Sequence, residues 1–213
     1  MNGKCKKNMN CNNKKIMFIY FADEKVKMME PMKRKIFAAT ILTTFFFLTP
    51  LTTITAQTAK VKWYTIQEAE QLMKDAPRPL FIDAYTDWCG WCKKMDQDTF
   101  THTVIADILN TKFYPVKFDA EGKDDIDFLG QTFVNDGKAG KAHQLAVALL
   151  QGQLAYPTVV FFYLQPNGQY AAAPVAGYKA PKDMETLLSF FADKNFETQK
   201  WDDFQRSFKG KIK

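Results

Sequence analysis

Histidine is nearly missing from this sequence, with two occurrences in 213 residues, and cysteine occurs only four times. Two of those cysteines, Cys5 and Cys11, lie in a basic leader with no partner at an evident spacing. Structural zinc takes four ligands, and beyond the leader only Cys89, Cys92 and the scattered His102 and His143 are on offer. Zinc binding is therefore a rival reading that the ligand count disfavours. Arginine is equally sparse there: Arg78 and Arg206 are not evidently placed to activate a peroxidatic cysteine. Net charge is also absent from the body. Residues 57–213 hold 19 Lys/Arg against 20 Asp/Glu, whereas residues 1–56 hold 10 against 3. The basic pI belongs to the leader, and the body carries no nucleic-acid footprint. No internal repeat or low-complexity tract interrupts it.

Long apolar runs are lacking too. The longest, residues 36–48, spans 13 positions, short of the roughly 20 that a membrane-crossing helix needs. It follows the basic cluster Met32-Lys33-Arg34-Lys35 and precedes Thr-rich sequence ending at Ala56, which is the order of a secretory signal peptide. We expect cleavage near Ala56-Gln57, although Ile54 stands where alanine is more usual; an uncleaved anchor is the alternative. Residues 1–31 are Asn- and Lys-rich and read as an extension upstream of a true start at Met32. The mature chain is then 57–213, one domain with a helical tail from about residue 195, exported and without stable membrane insertion. It keeps Cys89 and Cys92 as its only cysteines, which points to a redox-active rather than a structural disulfide.

What is present centres on Trp88-Cys89-Gly90-Trp91-Cys92-Lys93. The run at 80–85, apolar apart from Asp83, predicts a strand buried on both faces, and it delivers the two cysteines to a helix start. Unpaired N–H groups and partial positive charge at a helix N-terminus favour thiolate over thiol, so the spacing implies disulfide exchange. Upstream, Thr65-Ile66-Gln67-Glu68 is a capping box. Downstream, Thr101 is the expected cap of a helix striped by Val104, Ile105, Ile108 and Leu109, leading to a second strand at 113–119 in a βαβ unit. Phe128, Leu129, Phe133 and Val134 suggest one short helix in the polar stretch that follows, and 143–150 a better one. A third strand at 156–162 opens at Pro157, Pro166-Asn167-Gly168 turns it back into a strand at 170–176, and Pro181 starts the last main helix. In the tail, Trp201, Phe204 and Phe208 share a helix face that reads as ordinary packing.

This order of elements, with Trp-Cys-x-x-Cys after the first strand and Tyr-Pro-Thr opening the third, resembles the thioredoxin superfamily over about residues 63–194. It is most similar to exported thioredoxin-like proteins whose dithiol is of the kind found in periplasmic disulfide reductases. The resemblance implies an α/β thioredoxin fold, a central mixed β-sheet flanked by helices; the chain departs from it by extra length between Asp119 and Pro157, an insertion at about 121–141 before the cis-proline strand. Cys89 is then the attacking thiol and Cys92 the more buried resolving thiol. Asp83, six residues before Cys89, is the base that takes up the Cys92 proton; the rival view is a structural Asp bonded to a backbone N–H. Pro157 matches the family's cis-proline, Tyr156 presents backbone to an extended substrate, and Trp88 supports the loop.

Two further features depart from the family pattern. The residues between the cysteines are Gly90 and Trp91 rather than the commoner Gly-Pro, so redox poise does not carry over, and Trp91 is expected to be an exposed partner contact. Lys117 is the one candidate on the second strand for the lysine that often accompanies the buried Asp. The expected function is an exported, most naturally periplasmic (alternatively extracellular), thiol–disulfide oxidoreductase acting as reductase or isomerase. It needs no cofactor beyond the Cys89–Cys92 pair and no metal. Its partners are protein thiols and disulfides and an upstream redox protein, and it works as a monomer. The alternative is a thioredoxin-fold binding or chaperone module with an idle dithiol.

Overall fold

The computed structural model describes residues 60–213. The leader, the expected cleavage near Ala56-Gln57 and the start at Met32 lie outside the described residues. Strand β1 (Leu80–Tyr85) is buried along nearly its whole length, as its unbroken apolar run requires. It lies centrally in a four-stranded sheet of order β2-β1-β5-β6, where β2 is Tyr114–Asp119, β5 Thr158–Leu164 and β6 Tyr170–Ala176. β1 runs parallel to β2, because helices α2 (Gly90–Asp98) and α3 (Thr103–Lys112) carry the chain back between them. It runs antiparallel to β5, which pairs in turn with β6 through a short reversal. The mixed sheet expected from the sequence is thus present.

Alternation along the strands sorts the core into two layers. Leu80, Ile82, Val116, Val160 and Phe162 face α1 (Ile66–Asp75) and α4 (Gln144–Leu149). Phe81, Val159 and Phe161 face the side that holds Met95 of α2, Ile105 and Leu109 of α3, and Met184 and Leu188 of α5 (Pro181–Ala192). Each fully buried side chain of this size contributes about 1.5–3 kcal/mol. The tail helix α6 (Trp201–Ser207) joins the second layer through Phe204, which packs on Phe190 at 5.2 Å. A buried Glu185 carboxylate then accepts the Lys211 and Ile212 N–H groups and straps the chain end down.

The helix starts follow their caps. Thr65 and Glu68 bond reciprocally at α1, confirming the capping box. Thr101 does not cap α3, because its hydroxyl donates to the Gln97 carbonyl; His102 is the cap and accepts from Val104 N–H. His143 caps α4 in the same way, accepting from Leu145 N–H, while its Nε2 lies 3.1 Å from the Asp124 carbonyl. Both histidines thus have structural roles.

One expected element is wrong in kind. The stretch containing Phe128 and Phe133 forms no helix but a hairpin of β3 (Ile126–Phe128) and β4 (Gln131–Phe133). Its two-residue turn has positive φ at Leu129 (52°) and Gly130 (75°), the conformation that tight hairpins favour and that Gly supplies cheaply. Phe128 and Phe133 enter the α1 layer, and the Glu70 carboxylate accepts the Leu129 N–H, fixing the turn to α1. The third strand is also displaced: pairing begins at Thr158 and runs to Leu164, two residues later than the expected 156–162.

Candidate active site

The C-terminal end of β1 releases the chain at Thr86, and three residues later Cys89 occupies the N-cap of α2. Its Sγ accepts the Cys92 N–H at 3.1 Å, the position a capping oxygen usually takes. Cys89 and Cys92 are joined as a disulfide. Cys89 differs from the exposed position expected for it: with its sulfur turned inward to Cys92, it is 4 % exposed, against 2 % for Cys92. Once the pair is reduced, the same N–H and the helix dipole favour a thiolate on Cys89. A Cβ added at Gly90 would meet nothing within 4 Å, so the helix start leaves open space at that position.

Asp83 lies two residues after Phe81 along β1 and so shares its face, the one that α2 covers, where Cys92 and Met95 are the buried helix residues. It is fully buried. Its Oδ2 accepts from Lys117 Nζ at 2.6 Å, across the β1–β2 register that sets the two residues side by side. Its Oδ1 has no protein partner. Burial, only partly offset by the Lys117 charge, pushes the Asp83 carboxyl up to about 6. Burial alone would lower the Lys117 ammonium, but Asp83 and Asp96 outweigh it and hold it above its ordinary value. Asp96 reaches Lys117 from α2, and the rings of Trp63, Tyr85 and Phe100 surround the ammonium at 5.3, 4.9 and 5.5 Å. The structure thus pairs Asp83 with Lys117, the candidate that the family resemblance left on the second strand. The bonded partner of Asp83 is the Lys117 side chain, and no backbone N–H bonds to the carboxylate among the described residues.

Two exposed indoles flank the dithiol: Trp88 is 65 % and Trp91 60 % exposed. Trp88 is held, its Nε1 donating to Glu121 Oε2 at 3.1 Å and its ring meeting Tyr156 edge-on at 6.0 Å. Glu121 is itself set by Asn135, whose amide donates to the Gly122 and Lys141 carbonyls at 2.8 and 2.9 Å and so ties both ends of the hairpin segment together. The Tyr156-Pro157 peptide is cis, and the Pro157 carbonyl accepts Gly177 N–H. The Tyr156 hydroxyl has no protein partner, and burial with the Glu121 and Asp119 charges raises its pKa. Trp91 leans on Tyr178 at 5.4 Å, and the Tyr178 hydroxyl donates to Asp98. Trp88, Gly90 and Trp91 thus adjoin the two cysteines in the chain, the Trp88 ring links them to Tyr156-Pro157, and Asp83 lies on the sheet face that α2 covers. Asp96, Glu121 and Tyr178 join them without having been singled out from the sequence. Asp96 had a readable signal, since it lies one helical turn after Cys92 on the same face.

Elsewhere, a cleft of about 380 Å³ opens at the far end of the sheet, lined by Arg78, Pro79, Tyr163, Gln165, Phe191 and Lys194 among others. Arg78 donates to the Asn110 and Thr111 carbonyls there, and Arg206 pairs with Asp203; neither arginine joins the residues around the dithiol. Among the described residues no three His, Cys, Asp or Glu side chains converge as a metal site, and no helix is long and apolar enough to cross a membrane.

Known proteins resemble this chain in part. An uncharacterized protein of Caenorhabditis elegans is 30 % identical over 144 residues, 66 % of this chain and 17 % of its own. The thiol:disulfide interchange protein DsbD of Vibrio vulnificus is 35 % identical over 57 residues, 24 % of this chain and 10 % of its own. The chain thus spans less than a fifth of the length of these curated relatives. The solved thioredoxin of Thermus thermophilus is 15 % identical, covering 61 % of this chain and 85 % of its own, with a TM-score of 0.45. Residues 51–192 match the family model Thioredox_DsbH, described as a protein of unknown function, DUF255, and the chain belongs to that thioredoxin-like family.

Proposed function

We propose that this protein is an exported thiol–disulfide oxidoreductase that exchanges disulfides with protein substrates, as reductase or isomerase, through Cys89-Gly90-Trp91-Cys92. The observation that carries the reading is a disulfide at a helix N-terminus on the sheet face that buries Asp83 with one unpartnered oxygen. In the reducing direction, the Cys89 thiolate attacks a partner disulfide, forming a mixed disulfide and expelling one partner thiolate. Cys92 passes its proton to Asp83, whose elevated carboxyl is matched to work near neutral pH. The Cys92 thiolate then attacks Cys89 Sγ, closing the intramolecular disulfide and releasing the second partner thiolate. Two electrons have passed to the partner, and an upstream dithiol protein returns them.

The dithiol is the redox group; no other cofactor or metal enters these steps. Trp88, Trp91, Tyr156 and Pro157 form the contact surface for the partner, and the protein acts as a monomer. Export, to the periplasm or beyond, is the expectation set by the leader. The DsbD similarity supports the activity class.

Dithiothreitol-driven insulin reduction tests the reading: wild type should accelerate precipitation and Cys89→Ala should not. Equal rates would favour a binding module with an idle dithiol. A Cys92→Ser variant should trap partners on Cys89 as mixed disulfides.

A further inference from the structure

Lys117 is bonded to two carboxylates that differ in their access to water. Asp83, with a side chain 1 % exposed, holds it from β1 at 2.6 Å, and Asp96, 42 % exposed, holds it from α2. The lysine side chain itself is 23 % exposed and lies between them. The rings of Trp63, Tyr85 and Phe100 confine the ammonium to this location, so it serves both acids from one place. One cation against two anions leaves the trio with a surplus negative charge. That surplus favours proton uptake, and the proton goes to the member from which water is excluded.

Asp96 lies on the helix that carries the dithiol, four residues after Cys92 and on the same face. Among the described residues, Lys117 is what connects the buried carboxylate to that helix by hydrogen bonds. We propose that Asp96 is a positioning residue for the dithiol chemistry, drawing the Lys117 ammonium outward and sharing it, so that Asp83 keeps one oxygen free to accept the Cys92 proton. The role rests on the thiol–disulfide reading above, and it is separate from the chemistry of Asp83 itself. The neighbouring charged and titratable groups do not duplicate it. From β1, Tyr85 faces the ammonium; Asp87 and Asp119 act on Tyr85 from the ends of β1 and β2. From α2 come Cys92 and Asp96, and the residue paired with Asp83 on β5 is the apolar Val159.

If Asp96 is neutralised, Lys117 belongs to Asp83 alone and the opposing negative charge is gone. Both changes favour the ionised form of Asp83. In oxidised Asp96→Asn, the Asp83 side-chain carboxyl, followed by carbon NMR against pH, should titrate about one pH unit lower than in wild type. Asp96→Glu, which restores the second anion, should bring the midpoint back towards wild type. In the reduced protein, the acid limb of the release rate of a mixed disulfide on Cys89 should move the same way in Asp96→Asn. A midpoint that stays put or rises in Asp96→Asn overturns the proposal, as does failure of Asp96→Glu to restore it. The carboxyl titration needs no turnover, so it decides the role of Asp96 whether or not the insulin assay succeeds.

Discussion

Replacing Asp83 by Asn should make the oxidised protein more stable at neutral pH. In the folded chain the Asp83 carboxyl is pushed from an ordinary 3.8 up to about 6, so the native state holds a proton that the unfolded chain has already lost. Between these two values the native state binds more protons, and stability falls as pH rises. The contribution of Asp83 is therefore fully present below about pH 4 and lost as pH rises through 6. The gap between 3.8 and about 6 corresponds to about 3 kcal/mol at about 1.4 kcal/mol per pH unit. Asn never ionises and escapes this penalty, while its amide oxygen can still accept from Lys117. Urea unfolding of the oxidised wild type and Asp83→Asn should show a gain of about 3 kcal/mol at pH 8, shrinking below about 1 kcal/mol at pH 4. Using the disulfide form keeps the thiols out of the titration. An equal gain at both pH values, or a loss at pH 8, would refute the reasoning. The same variant should release mixed disulfides from Cys89 more slowly near neutral pH, because Cys92 has lost its proton acceptor.

Three further outcomes follow from the rim and the tail. Trp91→Ala should leave stability within about 0.5 kcal/mol of wild type, as exposed sites do, while raising the KM for insulin with kcat nearly unchanged. Glu121→Leu removes the acceptor of the Trp88 indole N–H, a bond worth about 1 kcal/mol, and should speed hydrogen exchange of that indole in NMR spectra. Gly210→Ala would drive a Cβ into the Glu185 carboxylate that straps the tail, and should lower the urea midpoint by an amount equivalent to about 1–3 kcal/mol.

The parts of this fold that were legible share a physical trait: their signal is local. The run at 80–85 contains its own burial pattern, and Thr65 with Glu68 contains its own cap. Cys89, Cys92 and Asp83 were legible because strand, turn and helix start follow one another without a break. The hairpin is not legible in this way: Leu129 counts with Phe128, Phe133 and Val134 towards an apolar helix face, whereas Leu129-Gly130 is a turn, and Phe133 finds its partner Ile126 only once the chain reverses. Thr101 lost its expected role to His102 because its hydroxyl was already engaged with the preceding helix. Glu121 could not be read at all as a member of the site, and Asp96 only from its place one helical turn after Cys92. Each matters through a partner 21 or 33 positions away, and an acidic residue on a helix or loop ordinarily means solvent.

The placement of the tryptophans gives the protein a built-in optical signal. The chain has four; Trp88 and Trp91 are each a chain neighbour of a bridged cysteine, and Trp63 rests against Phe100 near the Lys117 ammonium. Trp201 alone belongs to the tail, packed on Phe190. A disulfide quenches nearby indoles, so reduction should brighten the emission of Trp88 and Trp91 while Trp201 contributes a constant background. The redox state of the protein can then be followed in solution without any label.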